Sequence, residues 1–251
     1  MRNREIHVIP IADIPIIERD DDISEIIVTT LESNRQEILR GDILVVTHKI
    51  ISKSEGRVFD LLKVNPSKKA IEIAEKVSQP VKKVEIALQE STEIIREDPI
   101  LITKTEHGLI TDFSGVDQSN APENTIIALP LDPYASATKL NLAISKVVGF
   151  NVPVVISDTQ GRPWRKGAVN IAIGVAGMSS FTLNAGEIDR FGKKLRSSLV
   201  CLVDEIASAA ELVMGQADEK IPAVIVRGIS FRDACSSKES IVREKSENLF
   251  L

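Results

Sequence analysis

Several short segments of the sequence are apolar at successive positions, and this feature constrains the fold most. Asp42–Thr47 reads DILVVT, Val152–Ser157 reads VPVVIS and Pro222–Val226 reads PAVIV. Apolar runs of this length, entered through turn residues such as Gly41, are typical of fully buried strands. We therefore predict a buried strand at each of these segments, and a further one at Val169–Gly174.

Other segments have the periodicity of helices or of shorter strands. The predicted helices are Asp20–Leu31, Pro66–Val77, Val81–Ile95, Ala135–Val148, Leu199–Met214 and a charged surface helix from Cys235 onward. The further predicted strands are Glu5–Pro10, Thr125–Leu129 and a hairpin-like pair, Pro99–Thr105 and Leu109–Asp112. Strands and helices do not alternate strictly, so the predicted class is α/β in the mixed α+β sense, and neither a simple doubly wound sheet nor a barrel.

No low-complexity linker and no internal repeat divides the 251 residues, so we predict a single domain over 1–251. One segment stands apart from the rest. The stretch from Ser179 to Ser198 is polar and contains glycine, and it could form a small lobe or a partner-binding flap.

The composition excludes several functional classes. A net charge of −5 gives no general affinity for nucleic acid, so any anion site must be built locally. Cys201 and Cys235 are too few for a disulfide framework or a four-ligand zinc site, and we predict free, partly buried thiols. The sequence contains neither a run of about 18 apolar residues nor a secretory signal, so we expect a cytoplasmic protein that binds no membrane.

Two polar clusters follow predicted strands, where ligand-binding loops commonly lie. The first, THKIISKSEG, spans Thr47–Gly56 and places lysines, a histidine and hydroxyls after DILVV. The second, TDFSGVDQSN, spans Thr111–Asn120 and offers the oxygens of Asp117 and Asn120 to a hard cation, a ribose or a base. Ordinary solvated turns explain both clusters as well, and for the second cluster turn chemistry is the better explanation from its residues alone.

A third cluster, SDTQGRPWRKG, follows the apolar run that ends at Ser157. Asp158 and Thr159 offer the oxygen ligands that Mg²⁺ and Mn²⁺ prefer. Gly161 would let the backbone approach a phosphate, and the basic residues from Arg162 onward could neutralise its charge. A solvated loop is the alternative, and the two standard nucleotide fingerprints, the P-loop and G-x-G-x-x-G, are both absent from the sequence.

Seven motifs, taken in order, resemble the gamma-glutamyl ligases that add glutamate to the deazaflavin coenzyme F420. They are IPII (14–17), VVTHKIISKSEGR (45–57), GVDQSN (115–120), LPLDP (129–133), SDTQGRPWRKG (157–167), VDEIASAAELVMGQ (203–216) and IPAVIVRG (221–228). The resemblance implies an unusual intertwined α/β fold and a homodimer. It also implies a GTP-dependent ligase that forms an acyl phosphate on F420-0, adds L-glutamate and builds γ-linked glutamate tails.

The resemblance also implies the site residues. Asp117 and Asp158 are the expected ligands of one Mg²⁺ or Mn²⁺ ion, and Thr159 and Gln216 those of a second, with K⁺ as a further candidate cation. The expected GTP-contacting positions are Ile14, Pro15, Ile16, Ile17, His48, Lys49, Lys53, Asn120, Met214, Gly215, Gln216, Ala217, Asp218, Glu219, Lys220 and Ile221. Lys53 and Arg162 are the candidates for phosphate contacts, Arg162 only because of its place beside Asp158.

Two alternatives stay open at this stage. The same fold could serve an amide-forming ligase with another carboxylate acceptor, because the motifs specify the nucleotide and metal machinery better than the acceptor pocket. A non-catalytic nucleotide- or metal-binding protein is the second alternative, against which the presence of Asp117, Asp158 and Thr159 together argues.

Overall fold

The computed structural model describes residues 5–234 and 240–250. The strands are β1 (His7–Pro10), β2 (Ile43–Thr47), β3 (Val58–Asp60), β4 (Ser91–Arg96), β5 (Ile102–Thr105), β6 (Ile110–Asp112), β7 (Thr125–Ile127), β8 (Val154–Gln160), β9 (Val169–Ala176), β10 (Phe181–Leu183), β11 (Leu199–Cys201) and β12 (Ala223–Arg227). The helices are α1 (Ile23–Ser33), α2 (His48–Ser54), α3 (Lys68–Val77), α4 (Val81–Gln89), α5 (Pro133–Val148) and α6 (Leu202–Met214). None of the helices in these ranges is long and apolar enough to cross a bilayer.

A five-stranded sheet in the order β1-β12-β2-β8-β9 forms the centre of the fold. Its β2–β8 pair is parallel and its other pairs are antiparallel. On one face, Leu44 and Val154 pack with residues of α1 and α5. On the other face, Val45 and Val155 pack with α6. Both faces are covered, which explains why these strands are apolar at every position and confirms the predicted buried strands.

A second layer contains α3, α4 and the three-stranded sheet β4-β5-β6. Ser67 caps α3 by accepting a hydrogen bond from the backbone amide of Ala70. The buried face of that helix packs Ile73 and Val77 into the hydrophobic core of this second layer. The pair β5–β6 is antiparallel, as predicted for a hairpin around His107 and Gly108. The mixed α/β class is therefore confirmed.

Three predicted helices and one predicted strand need correction. The helix predicted over Val81–Ile95 ends at Gln89, and Ser91–Arg96 forms β4 instead, because its β-branched residues pair with β5. The predicted helix Leu199–Met214 begins only at Leu202, after β11. The segment 240–250 contains only a short 3₁₀ turn, Lys245–Glu247, so the predicted surface helix is wrong there.

The strand predicted at Val152–Ser157 begins at Val154 and continues to Gln160, so Asp158 and Thr159 lie within the strand and not after it. The polar residues stay in the strand because β9 pairs with them, Thr159 lying opposite Asn170. Ile156 pairs with Gly174 and Ser157 with Ala172, which leaves Ile173 as a β-bulge.

Gly174 lies where α5 meets the sheet. A Cβ at this position would be 2.2 Å from the carbonyl oxygen of Pro133, a distance that no side chain tolerates. The missing side chain thus allows the first turn of α5 to pack directly on β9.

Cys201 is a free, partly buried thiol, as predicted. Burial raises its pKa to about 12, because the low-dielectric surroundings disfavour the thiolate. The prediction for Cys235 concerns a residue outside the described ranges.

Candidate active site

A cleft of about 990 Å³ opens at the end of the sheet where β2 and β8 finish. The predicted site residues that line it are Ile14, Pro15, Ile16, Ile17, Lys49, Lys53, Asp117, Asn120, Asp158, Thr159, Met214, Gly215, Gln216, Ala217, Asp218, Glu219, Lys220 and Ile221. These residues come from five separate stretches of the chain, so the fold brings together motifs that are far apart in the sequence.

Helix α2 forms one wall of the cleft. It begins at His48, directly after the last residue of β2, so its first turn lies at the end of the sheet. Lys49 and Lys53 are four positions apart, which places both ammonium groups on the same side of the helix, towards the cleft.

Asp117 forms an ion pair with Lys49 at the wall of the cleft. The Nζ atom of Lys49 lies 2.7 Å from Oδ2 of Asp117, and Ser119 donates its backbone amide and its hydroxyl to the same carboxylate. Burial alone would raise the pKa of Asp117, but the hydrogen bonds from Lys49 and Ser119 outweigh it and lower the pKa to about 2. The carboxylate is therefore held as an anion at a fixed place in the cleft wall.

Lys53 differs from Lys49 in having no carboxylate within 4.0 Å among the described residues. Its side chain is half-buried, and burial lowers the pKa of its ammonium group, with a further contribution from the charge of Lys49. A partly desolvated cation without a counterion is a favourable place for a bound anion.

Asp158 lies on the next strand, beside the end of β2. Its Oδ1 atom accepts the backbone amide of Thr159 at 2.8 Å. The Nε2 atom of His48 is 3.3 Å from the same oxygen, although the approach does not have hydrogen-bond geometry. The Nδ1 atom of His48 lies 3.3 Å from the hydroxyl of Ser52. The imidazole is almost fully buried, so its side chain lies behind the cleft and next to Asp158, where it contacts a predicted metal ligand instead of open space.

Thr159 and Gln216 contact each other in the lining of the cleft. The Gln216 amide donates to the Thr159 hydroxyl at 2.8 Å, and that hydroxyl donates to Oδ1 of Asn170 at 2.8 Å. Gln216 also donates to Glu211, a residue of α6 that the motifs did not single out as a site residue. Asn170, from β9, is likewise absent from the predicted site residues, because its contact with Thr159 depends on the register between β8 and β9.

The loop 214–221 carries two acidic side chains. Glu219 turns back on the loop and accepts the backbone amide of Ala217 at 2.8 Å. Asp218 is exposed, with its carboxylate 3.6 Å from Nζ of Lys220. Both acidic side chains therefore contact groups of their own loop, and neither forms an ion pair with Lys53.

Arg162 does not line the cleft. Its guanidinium group donates to the carbonyl oxygens of Gly167 and Lys166, which closes the basic loop on itself. The geometry gives no support to a phosphate contact from this residue. Lys83 of α4 lines the cleft instead, with its Nζ atom 4.6 Å from the ring centre of Phe113.

The donor set of the cleft suits a hard divalent cation. Asp117, Asp158, Thr159 and Gln216 all offer oxygen atoms. Within the described residues, no group of three or more His, Cys, Asp or Glu side chains could hold a metal ion. Two carboxylates, a hydroxyl and an amide form a sparse set of ligands, which fits Mg²⁺ or Mn²⁺ ions that share their coordination with substrate phosphates.

A second cavity of about 320 Å³ lies between the β4–β5 hairpin, β9 and the start of α5. Among the described residues, no lysine or arginine lines it, whereas Glu90, Glu106 and Asp204 do. Of the two cavities, the large cleft is therefore the one whose described lining includes ammonium groups that an anion could contact.

The comparisons with known proteins agree with the motifs. A family model described as F420-0:Gamma-glutamyl ligase matches residues 12–228. The coenzyme F420:L-glutamate ligase of Methanothermobacter thermautotrophicus is 42% identical over 224 residues, or 89% of each chain. The protein of the same name from Archaeoglobus fulgidus is 38% identical over 244 residues, covering 97% of this chain and 96% of its own. That from Methanocaldococcus jannaschii is 44% identical over 211 residues, or 84% of each chain.

The contact between His48 and Asp158 leads to a prediction about metal affinity. Asparagine can replace only the Nδ1 end of the ring and glutamine only the Nε2 end, so His48→Asn should remove the contact with Asp158 and His48→Gln should keep it. If Asp158 holds the ion, we expect Mn²⁺ affinity, measured by isothermal titration calorimetry, to fall several-fold in His48→Asn and less in His48→Gln, a smaller loss than for a hydrogen-bonded neighbour of a metal ligand. Equal losses in the two variants would mean that the ring only fills space.

Proposed function

The chain belongs to the F420-0:gamma-glutamyl ligase family, and from this premise we propose that it joins L-glutamate to F420-0 at the expense of GTP and extends the product with γ-linked glutamates. Family membership makes the chain a ligase. Its nucleotide, its mechanism and its metal ions belong to the proposal. The observation that carries the proposal is the arrangement of the large cleft, in which an unmatched cation, Lys53, lies near the oxygen ligands Asp117 and Asp158.

The proposed reaction has two steps, because a carboxylate is a poor electrophile. A carboxylate oxygen of the acceptor first attacks the γ-phosphorus of GTP, the bond to the β-phosphate oxygen breaks, and GDP leaves. The amino nitrogen of glutamate then attacks the carbonyl carbon of the acyl phosphate. An amide forms, inorganic phosphate leaves with the bonding electrons, and the nitrogen loses a proton to solvent.

The residues of the cleft have separate roles in this proposal. Lys53 binds phosphate oxygens as a mobile point charge, while the loop 214–221 and residues 14–17 enclose the nucleotide. Asp117 and Asp158 would hold one divalent ion, and Thr159 and Gln216 a second. Bound Mg²⁺ or Mn²⁺, with K⁺ as a further candidate, would offset the charge that gathers on the transferring phosphoryl group.

The most direct experiment is mass spectrometry of F420-0 after incubation with the protein, GTP, Mn²⁺ and L-glutamate. We expect discrete mass increases, each equal to one glutamyl residue, and none when glutamate is omitted. Asp117→Asn and Asp158→Asn should abolish them while circular dichroism shows an intact fold, because each change removes a charge from the cation site. Undiminished glutamylation in either variant at ordinary Mn²⁺ concentrations would contradict the metal assignment, and an unchanged acceptor with the wild-type protein would point to another carboxylate substrate.

A second prediction concerns Lys53. Lys53→Ala should raise KM for GTP or lower kcat by the equivalent of about 1.5–3 kcal/mol, the loss expected for a charge-assisted hydrogen bond. The matched control is Lys69→Ala, because Lys69 lies on the exposed side of α3 and pairs with Glu97 away from the cleft. Steady-state kinetics with varied GTP would measure both variants. If the two changes have the same small effect, Lys53 only faces water.

The proposal includes a homodimer with the intertwined arrangement that the family resemblance implies. The segment 179–198 leaves large apolar side chains in water, including Ile188 and Phe191, which are 71% and 87% exposed. Large exposed apolar patches mark interaction surfaces, and we propose that these side chains belong to the dimer interface. Light scattering should find a particle of twice 27.5 kDa at micromolar concentration, and a particle of 27.5 kDa would contradict the dimer.

A further inference from the structure

Glu211 lies where α6, β9 and the loop 214–221 meet, beside the cleft. Its Oε2 atom accepts the backbone amide of Asn170 at 2.8 Å, and its Oε1 atom accepts from the side-chain amide of Gln216. Ser208, one turn earlier on the same helix, donates its hydroxyl to the carbonyl oxygen of Asn170 at 2.8 Å. The carboxylate is thus fixed between a helix and a paired strand, and not on a mobile loop.

This arrangement determines which way the Gln216 amide points. A side-chain amide has a donor end, the NH₂ group, and an acceptor end, the carbonyl oxygen, and the two are almost equal in shape. A carboxylate has only acceptors, so Glu211 can pair only with the NH₂ end. The hydroxyl of Thr159 adds to this preference, since it gives its proton to Asn170 and accepts the second NH₂ hydrogen of Gln216.

We propose that Glu211 is a positioning residue that turns the carbonyl oxygen of Gln216 towards a divalent cation in the cleft. The inference rests on the proposed function, in which Gln216 binds the second ion. With both NH₂ hydrogens taken by Glu211 and Thr159, the carbonyl oxygen points away from those partners. Thr159 uses one lone pair for Gln216 and keeps the other for the same ion.

A carboxylate at position 216 would not need this orientation, because its two oxygens are equivalent. The inference therefore predicts that Glu211→Gln is harmful only while position 216 is glutamine. An amide at 211 can offer its NH₂ group to the carbonyl oxygen of Gln216 and so stabilise the wrong orientation. In the background Gln216→Glu, the same amide simply donates to the new carboxylate.

The test is a titration of Mn²⁺ into GDP-saturated protein, with free Mn²⁺ measured by electron paramagnetic resonance. We expect two sites in the wild type. In Glu211→Gln, the second site should be about 10–100-fold weaker, the loss usual for a residue that orients a metal ligand. In Gln216→Glu, adding Glu211→Gln should cause no loss. The matched control is Asp204→Asn, since Asp204 lies on the same helix and accepts the amide of Ala172 on the same strand at 2.9 Å, but does not contact Gln216.

Each outcome decides between the two hypotheses. Two sites of unchanged affinity in Glu211→Gln would overturn the positioning role and leave the proposed function intact. Weakening in both backgrounds would also overturn it, because Glu211 would then act as a ligand itself or only support the fold. Loss of affinity in Asp204→Asn, with a similar fall in the thermal midpoint, would likewise indicate a structural effect. No Mn²⁺ binding by the wild type would overturn both the metal part of the proposed function and this inference.

Discussion

The candidate site depends on the parallel pairing of β2 with β8 in the middle of the sheet. The register places Thr47 opposite Ser157, so β2 ends beside the polar part of β8 at one edge of the sheet. Helix α2 begins at that edge, and Asp158 follows on the neighbouring strand. Any other direction for either strand would separate the lysines of α2 from Asp158 by the length of the sheet. The burial of both sheet faces keeps this register, because a slip by one residue would exchange the residues of the two cores.

Local sequence patterns predicted most of the fold, and two of their errors have a common cause. The buried strands were identified because apolar residues at successive positions suit a sheet covered on both sides. The predicted helix Val81–Ile95 includes most of β4 because the apolar spacing of α4 continues there, whereas pairing with β5 decides the structure of that segment. The length of β8 was underestimated for the same reason, since its polar end is held by β9. Pairing between strands leaves little trace in the sequence of either strand.

The motifs predicted which residues gather in the cleft better than they predicted what each side chain contacts. His48 was expected at the nucleotide and lies behind Asp158, because the first residue of α2 turns into the core. Arg162 was chosen for its charge and its neighbours, but its donors are used by carbonyl oxygens of its own loop. Glu211 gave no signal, since a carboxylate on a helix is ordinarily a solvated surface group. Only the three-dimensional structure shows that it faces Gln216.

The bulge at Ile173 has a consequence for how this protein tolerates changes in chain length. Side chains alternate between the two faces of a strand, and the extra residue shifts that alternation for everything that precedes it on β9. Asn170 lies in this shifted part, where it contacts Thr159 and α6. Deleting a single residue from the bulge would restore a regular ladder and keep Asn170 opposite Thr159, because the pairs Ile156–Gly174 and Ser157–Ala172 would then be consecutive. An insertion between Asn170 and Ala172 would instead place Asn170 opposite Gln160 and turn its side chain to the other face, so β9 should tolerate a one-residue deletion at the bulge better than an insertion beside Asn170.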